Sequence, residues 1–151
     1  MQHFVRRAIS SDCEELQRFE VEARSQLEAF RGGLRLANEL PLVGPLWAER
    51  ISSPRWTVFV AGFDDVVMGY LCIDYEAQFE APLIESVYVT SDARELGLGD
   101  AMVSAAIEEC VARGADAIDA YALPGDRETK NLFERSGLTA RLLIVTKKLG
   151  K

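Results

Sequence analysis

The chain has 151 residues, 48% of them hydrophobic and 27% charged, with a formal net charge of −7. That length and balance describe one folded domain over residues 1–151 and exclude a disordered chain. The acidity argues against a nucleic-acid binder, which would carry a basic face, and no apolar run approaches the roughly 20 residues of a membrane span.

Residues 1–7 lack the long apolar core of a signal peptide, so a cytoplasmic protein is expected. Cys13, Cys72 and Cys110 have no metal-ligand spacing and sit in apolar patterns. They read as reduced core residues, and no metal is expected. His3, the single histidine, reads as a surface residue.

Phe4 to Ala8 reads as an edge strand. Ser11 and Glu14 have capping-box spacing, and Cys13, Leu16, Phe19 and Ala23 follow on one helical face. A second helical stretch covers Ser25 to Asn38, broken near Arg31-Gly32-Gly33, because two adjacent glycines disfavour a helix interior. Residues 38–55 hold Pro41, Gly44, Pro45 and Pro54 among Leu42, Val43, Leu46 and Trp47. This stretch reads equally as a pocket wall or as a packed connection.

Trp56 to Gly62 and Val66 to Tyr75 form a hairpin around Phe63-Asp64-Asp65, and Leu83 to Val89 is the next strand. A helix runs from Asp100 to Val111, with Gly114 as its C-cap. Ala117 to Leu123 is a short strand. Asp126 caps a helix over Arg127 to Ser136, which Gly137 ends. Thr139 to Leu149 reads as a last strand, able to pair or swap across an edge in a homodimer. The order is β-α-α-β-β-β-α-β-α-β, an α/β mixed sheet with helices on both faces.

The chain is organised around strand Leu83 to Val89, the turn Arg94-Glu95-Leu96-Gly97-Leu98-Gly99 and the helix after it. Glycines there permit a tight turn, and the first N–H groups of a helix point into it unpaired. With the positive end of the helix dipole, this makes an anion site. Arg94 either adds charge to that site or is a solvated turn arginine. A dinucleotide fingerprint would need glycine where Met102 stands, and the Gly-Lys-Ser/Thr of a P-loop is absent.

Arg94-x-x-Gly97-x-Gly99 behind Ile84-Glu85-Ser86-Val87-Tyr88-Val89 resembles the pyrophosphate motif of the GNAT superfamily of acyl-CoA-dependent N-acyltransferases. The element order is also that of the GNAT fold, so the resemblance covers nearly the whole chain. It implies a sheet splayed between the fourth and fifth strands, with acetyl-CoA as acyl donor. Its pantetheine would pair with Val87, Tyr88 and Val89. Its pyrophosphate would lie on Arg94, Glu95, Leu96, Gly97, Leu98, Gly99, Asp100 and Ala101.

Asp126 falls where a cofactor-contacting asparagine often lies, although a plain N-cap explains it equally. Phe133 stands where many members carry a tyrosine acid, and it can still pack on pantetheine. Glu85 is the candidate base, and strand alternation sets it on the face of Val87. Tyr121 is the candidate acid. Asp74, Tyr75 and Glu76 are alternative contacts for a cationic acceptor.

The implied activity is N-acetyl transfer from acetyl-CoA to a primary amine, by direct attack in a ternary complex. The acceptor is a small amine, an amino acid, an aminoglycoside or a protein amino group, and nothing in the sequence selects among these. The alternative is a non-catalytic acyl-CoA-binding module, favoured by Phe133. A third reading is an α/β protein without a ligand.

Overall fold

A computed structural model describes residues 2–150. The element order is β1 (His3–Arg7), α1 (Cys13–Gln26), α2 (Gly33–Glu39), α3 (Trp47–Ser52), β2 (Trp56–Phe63), β3 (Val66–Asp74), β4 (Leu83–Val89), α4 (Leu98–Ala112), β5 (Asp119–Ala120) and α5 (Arg127–Arg135). The five strands form one sheet in sequential order, antiparallel up to β4 and parallel between β4 and β5. No helix among the described residues is long and apolar enough to cross a membrane.

The sheet is apolar on both faces because helices cover both. On one side Leu16 and Phe19 of α1 and Trp47 of α3 pack against Val58, Val60, Tyr70, Cys72 and Tyr88. On the other, Met102, Val103, Ala106 and Cys110 of α4 and Phe133 of α5 pack against Phe59, Leu71, Ile73 and Ile84. The alternation of β2 and β3 assigns each side chain to one layer.

Several expected boundaries move, each for a local reason. Ser11 and Glu14 do not form the entry cap of α1. Asp12 instead fixes the turn that leads into α1: it accepts from the Ile9 N–H at 2.8 Å and receives Arg6 through both oxygens at 2.8 and 3.1 Å. The helical stretch after α1 breaks at the glycines as expected, with Gly32 at φ 80°. The proline-punctuated stretch contains a helix of its own, α3, anchored by the fully buried Trp47. Glu20 of α1 holds this stretch in place, accepting from the backbone N–H groups of Val43 and Gly44 at 2.7 and 3.0 Å.

The expected closing strand is not formed. Residues 139–150 have no regular structure, because no described strand pairs with them. Arg141 is tied to Asp119 of β5, and Arg35 of α2 donates to Thr146. Between these ties Leu143, Ile144 and Val145 are more than 80% exposed. Burying such side chains is worth roughly 1.5–3 kcal/mol each, so covering this arm would be favourable.

Asp74, at the end of β3, is engaged by its own chain. Arg55 grips it through two bonds of 2.9 Å, and the Glu76 N–H adds a third. Tyr75 shares its hydroxyl with Thr57 at 2.8 Å. These residues fasten β3 to the loop before β2, so Asp74 is no open contact for a cationic acceptor. Burial alone would raise the Asp74 carboxyl, but the bonds from Arg55 and Glu76 outweigh it and hold its pKa below the usual range.

Two measurements check this packing. Phe19→Ala should lower the unfolding free energy by about 3–5 kcal/mol in denaturant titration, as expected for a fully buried aromatic. Because the folded pKa of Asp74 is depressed, its contribution is complete above its unfolded pKa and is lost as pH falls through the folded one. The stability gap between wild type and Asp74→Asn should therefore be flat near pH 7 and close on acidification below about pH 4.

Candidate functional site

Gly97 precedes α4 at φ 87°, and Glu95 also has positive φ, at 67°. These two residues curl the backbone so that successive amides face inward. The N–H groups of Glu95, Leu96, Gly97, Leu98, Gly99 and Asp100 have no acceptor among the described residues. The first helical bond of the turn comes only at Ala101, whose N–H donates to the Gly97 carbonyl at 3.0 Å. Six consecutive free donors at the positive end of a 15-residue helix suit a diphosphate.

The side chains here fix the turn rather than fill it. Leu98 is buried and roots it in the core, while Leu96 is half exposed. A Cβ on Gly99 would come 3.3 Å from Leu132, so the missing side chain lets α5 close against α4. Asp100 is bound by Arg135 through bonds of 3.0 and 3.1 Å. Asp126 caps α5, accepting from the Thr129 N–H at 3.1 Å. Phe133 packs into the core beneath, with an edge on the cleft.

Arg94 is not a solvated turn arginine. It donates to the Val89 carbonyl at 3.1 Å and to Gln26 of α1 at 2.7 Å, and lies 3.7 Å from Glu128 of α5. Its guanidinium also stands over the Tyr88 ring. One cation thus braces the turn against three elements.

Beyond the turn the sheet opens. β4 and β5 pair only at Leu83–Asp119 and Ile84–Ala120. Past that point the chains diverge, leaving Val87, Tyr88 and Val89 on one wall and Tyr121, Ala122 and Leu123 on the other. The resulting cleft, of about 1120 Å³, runs without interruption from the turn to a chamber under α1 and α3. A strand edge with free amides suits an extended amide-bearing arm.

At the point of divergence β4 carries a bulge. Cys72 pairs with Ser86 and Ile73 with Ile84, so Glu85 is the extra residue. The expected alternation is therefore broken. Val87 and Val89 pack with the α4 layer, whereas Tyr88 belongs to the α1 layer, and Glu85 joins that side. There its Oε1 accepts from Arg50 of α3 at 3.0 Å, with both side chains mostly buried. The Oε2 atom has no partner among the described residues. Arg50 lies flat on Trp56, 3.6 Å from the ring centroid, with Trp47 at 5.6 Å.

Tyr121, the residue just after β5, lines the same space. Burial pushes its phenol upward, and the carboxylates of Glu85, Asp74 and Asp119 push it further, so it stays protonated at neutral pH. Burial also lifts the Cys72 thiol to about 12, and raises Cys110. A thiol held protonated is a poor nucleophile, so neither buried cysteine suits a covalent acyl carrier.

Glu85, Tyr121 and the Val87–Val89 edge thus meet in one cleft with the turn. Arg50 and Trp47 were not among the sequence candidates. Their spacing of three places both on one face of a helix, but α3 is too short to stand out among prolines.

The sequence profile of the Acetyltransferase (GNAT) family matches residues 21–138. No curated protein matches the chain. Among solved structures, the tetramutant of the BH1408 protein from Bacillus halodurans is similar, with TM-score 0.80, 19% identity, and coverage of 97% of this chain and 99% of that one. An aminoglycoside acetyltransferase from an uncultured soil metagenomic sample, in complex with trehalose, aligns with TM-score 0.66 and 16% identity over 99% and 96%. AAC(6')-Iy in complex with the bisubstrate analogue CoA-S-monomethyl-acetylneamine aligns with TM-score 0.70 and 14% identity over 99% and 100%. Because the profile spans well over half its length, the chain belongs to the Acetyltransferase (GNAT) family.

Proposed function

We propose that this protein transfers an acetyl group from acetyl-CoA to a primary amine by direct attack in a ternary complex. The observation that carries the reading is the row of unpartnered N–H groups from Glu95 to Asp100 opening onto the parted strands. Acetyl-CoA, as co-substrate, supplies the activated thioester. The turn holds its pyrophosphate through the N–H groups of residues 95–100, with Arg94 beside them and Ala101 closing the helix behind. The edge of Val87, Tyr88 and Val89 pairs with the pantetheine, and one strand N–H polarises the thioester carbonyl. Phe133 supports the arm from below, while Asp126 acts through the cap of α5.

Glu85 Oε2 takes the proton from the incoming ammonium, directly or through a water. The Tyr121 hydroxyl, on the opposite wall of the cleft, is the proposed donor of a proton to the departing thiolate. The aminoglycoside acetyltransferases among the structural neighbours support a small-molecule amine as acceptor over a protein amino group. The competing reading, a module that binds acyl-CoA without turnover, is favoured by Phe133, which brings no hydroxyl to the cleft.

The protein is further proposed to act as a homodimer. Residues 142–145 are apolar on both faces, a pattern suited to a strand inside a covered sheet. β5 has one unpaired edge, so each of two copies offers both an arm and an edge.

Four measurements test these statements. Gly97→Ala forces an L side chain into positive φ and should weaken acetyl-CoA binding about tenfold in calorimetry. Glu85→Gln should lower kcat by about 10²–10⁴ with acetyl-CoA affinity kept. A protein that CoA stabilises in thermal shift, yet that acetylates nothing across an amine panel, would instead be the binding module. Solution scattering should give twice the chain mass for the full chain and the single mass after truncation at Leu138, and a single mass for both would remove the dimer.

A further inference from the structure

The chamber beyond the parted strands has an unusual balance of groups. Its walls are mainly Leu27, Phe30, Leu36, Leu40, Val43 and Trp47. Two carboxylates reach it, and both are engaged. Glu20 uses its two oxygens on the N–H groups of Val43 and Gly44. Glu85 gives one oxygen to Arg50. A polycationic acceptor would need several open carboxylates, and the chamber does not offer them.

Donors, by contrast, are in excess. Arg50 has a fork of five N–H donors, and the only oxygen that accepts from it among the described residues is Glu85 Oε1. The guanidinium nonetheless lies mostly buried on Trp56. Trp47 is buried, lines the same chamber, and its Nε1–H has no acceptor among the described residues. Buried donors without acceptors are unfavourable, and they mark where a ligand's oxygens would sit. The planar fork of arginine matches a carboxylate in particular.

The pair itself has a further property. Arg50 and Glu85 stand 3.0 Å apart with opposite charge. An α-amino acid carries a carboxylate and an ammonium on one carbon, so the pair is its charge complement. Its carboxylate would meet Arg50 and the Trp47 N–H, while its nitrogen would meet the open Oε2 of Glu85, the atom that needs the proton. The remaining space, walled by leucines, Phe30 and Val43, suits a large apolar side chain.

We infer that the acceptor is a free α-amino acid with a large apolar side chain, its carboxylate held by Arg50 and Trp47 and its amino group beside Glu85. This rests on the acetyl-transfer reading above and adds the substrate class to it. Arg50 and Trp47 then determine specificity. The bond made is an amide between the acetyl carbonyl and the α-nitrogen. The bond broken is the thioester C–S bond; the ammonium gives up two protons, the first through Glu85 to solvent and the second, after attack, to the departing thiolate, which leaves as the CoA thiol.

The test is steady-state acetylation by the full chain of leucine and phenylalanine, their amides, phenethylamine and spermidine, with CoA binding measured in parallel by calorimetry. The free acids should exceed their amides at least tenfold in kcat/KM, mainly through KM. Arg50→Met removes the partner of Glu85 and should slow turnover of every acceptor, but it should also erase the preference, raising KM for the acids at least tenfold more than for the amides. Trp47→Phe keeps the aromatic bulk and removes only the N–H, and should raise KM for the acids several-fold with CoA affinity intact. Wild type that favours the amides or spermidine overturns the inference while leaving acetyl transfer in place. So does a uniform loss over all acceptors in both variants. Wild type that binds no CoA overturns acetyl transfer and this inference together.

Discussion

The site depends on a hydrogen-bonding ladder that stops early. β4 and β5 share two registered pairs and then separate, although both chains continue. A parallel ladder that ran to Val89 would satisfy every amide and leave no space between the strands. Parting after Ile84 leaves one side of β4 without a β5 partner and joins the glycine turn to the chamber under α3. The α4 and α5 layer keeps the wedge open from below. Gly99 lets these helices approach at Leu132, and Arg135 clasps Asp100 across them.

The bulge at Glu85 does the complementary work on the other side of the sheet. One extra residue moves a carboxylate from the α4 layer to the α1 layer at the position where the strands separate. Burying a carboxylate there is unfavourable unless it is paired, and Arg50 provides the pair. Arg50 in turn is held by the faces of Trp56 and Trp47. The two tryptophans therefore set the orientation of a charge pair, beyond filling space.

Most of the fold is legible in the sequence because it is written in short-range patterns. The buried strands β2, β3 and β4 are runs of β-branched and aromatic residues, and α4 follows a helical period behind two glycines. The glycine turn is legible for the same reason, since its free N–H groups lie on six consecutive residues. What escapes is what tertiary contact decides. Nothing in Ile84-Glu85-Ser86 signals a bulge, so the face of Glu85 cannot be read from alternation. α3 is six residues long and its reason to form is a buried tryptophan, which the surrounding prolines obscure. Residues 139–150 have the composition of a strand, but a strand also requires an edge to pair with. Arg94 looks like a turn cation in the sequence because Gln26, Val89 and Glu128 are brought to it only by folding.

The position of Arg94 has a mechanical consequence. It ties the glycine turn to the end of α1, and α1 also carries Glu20, which holds the chamber's outer wall through Val43 and Gly44. An anion bound in the turn would compete with Gln26 for that guanidinium. One helix thus serves both compartments, so a shift of α1 would be felt at each end of the cleft.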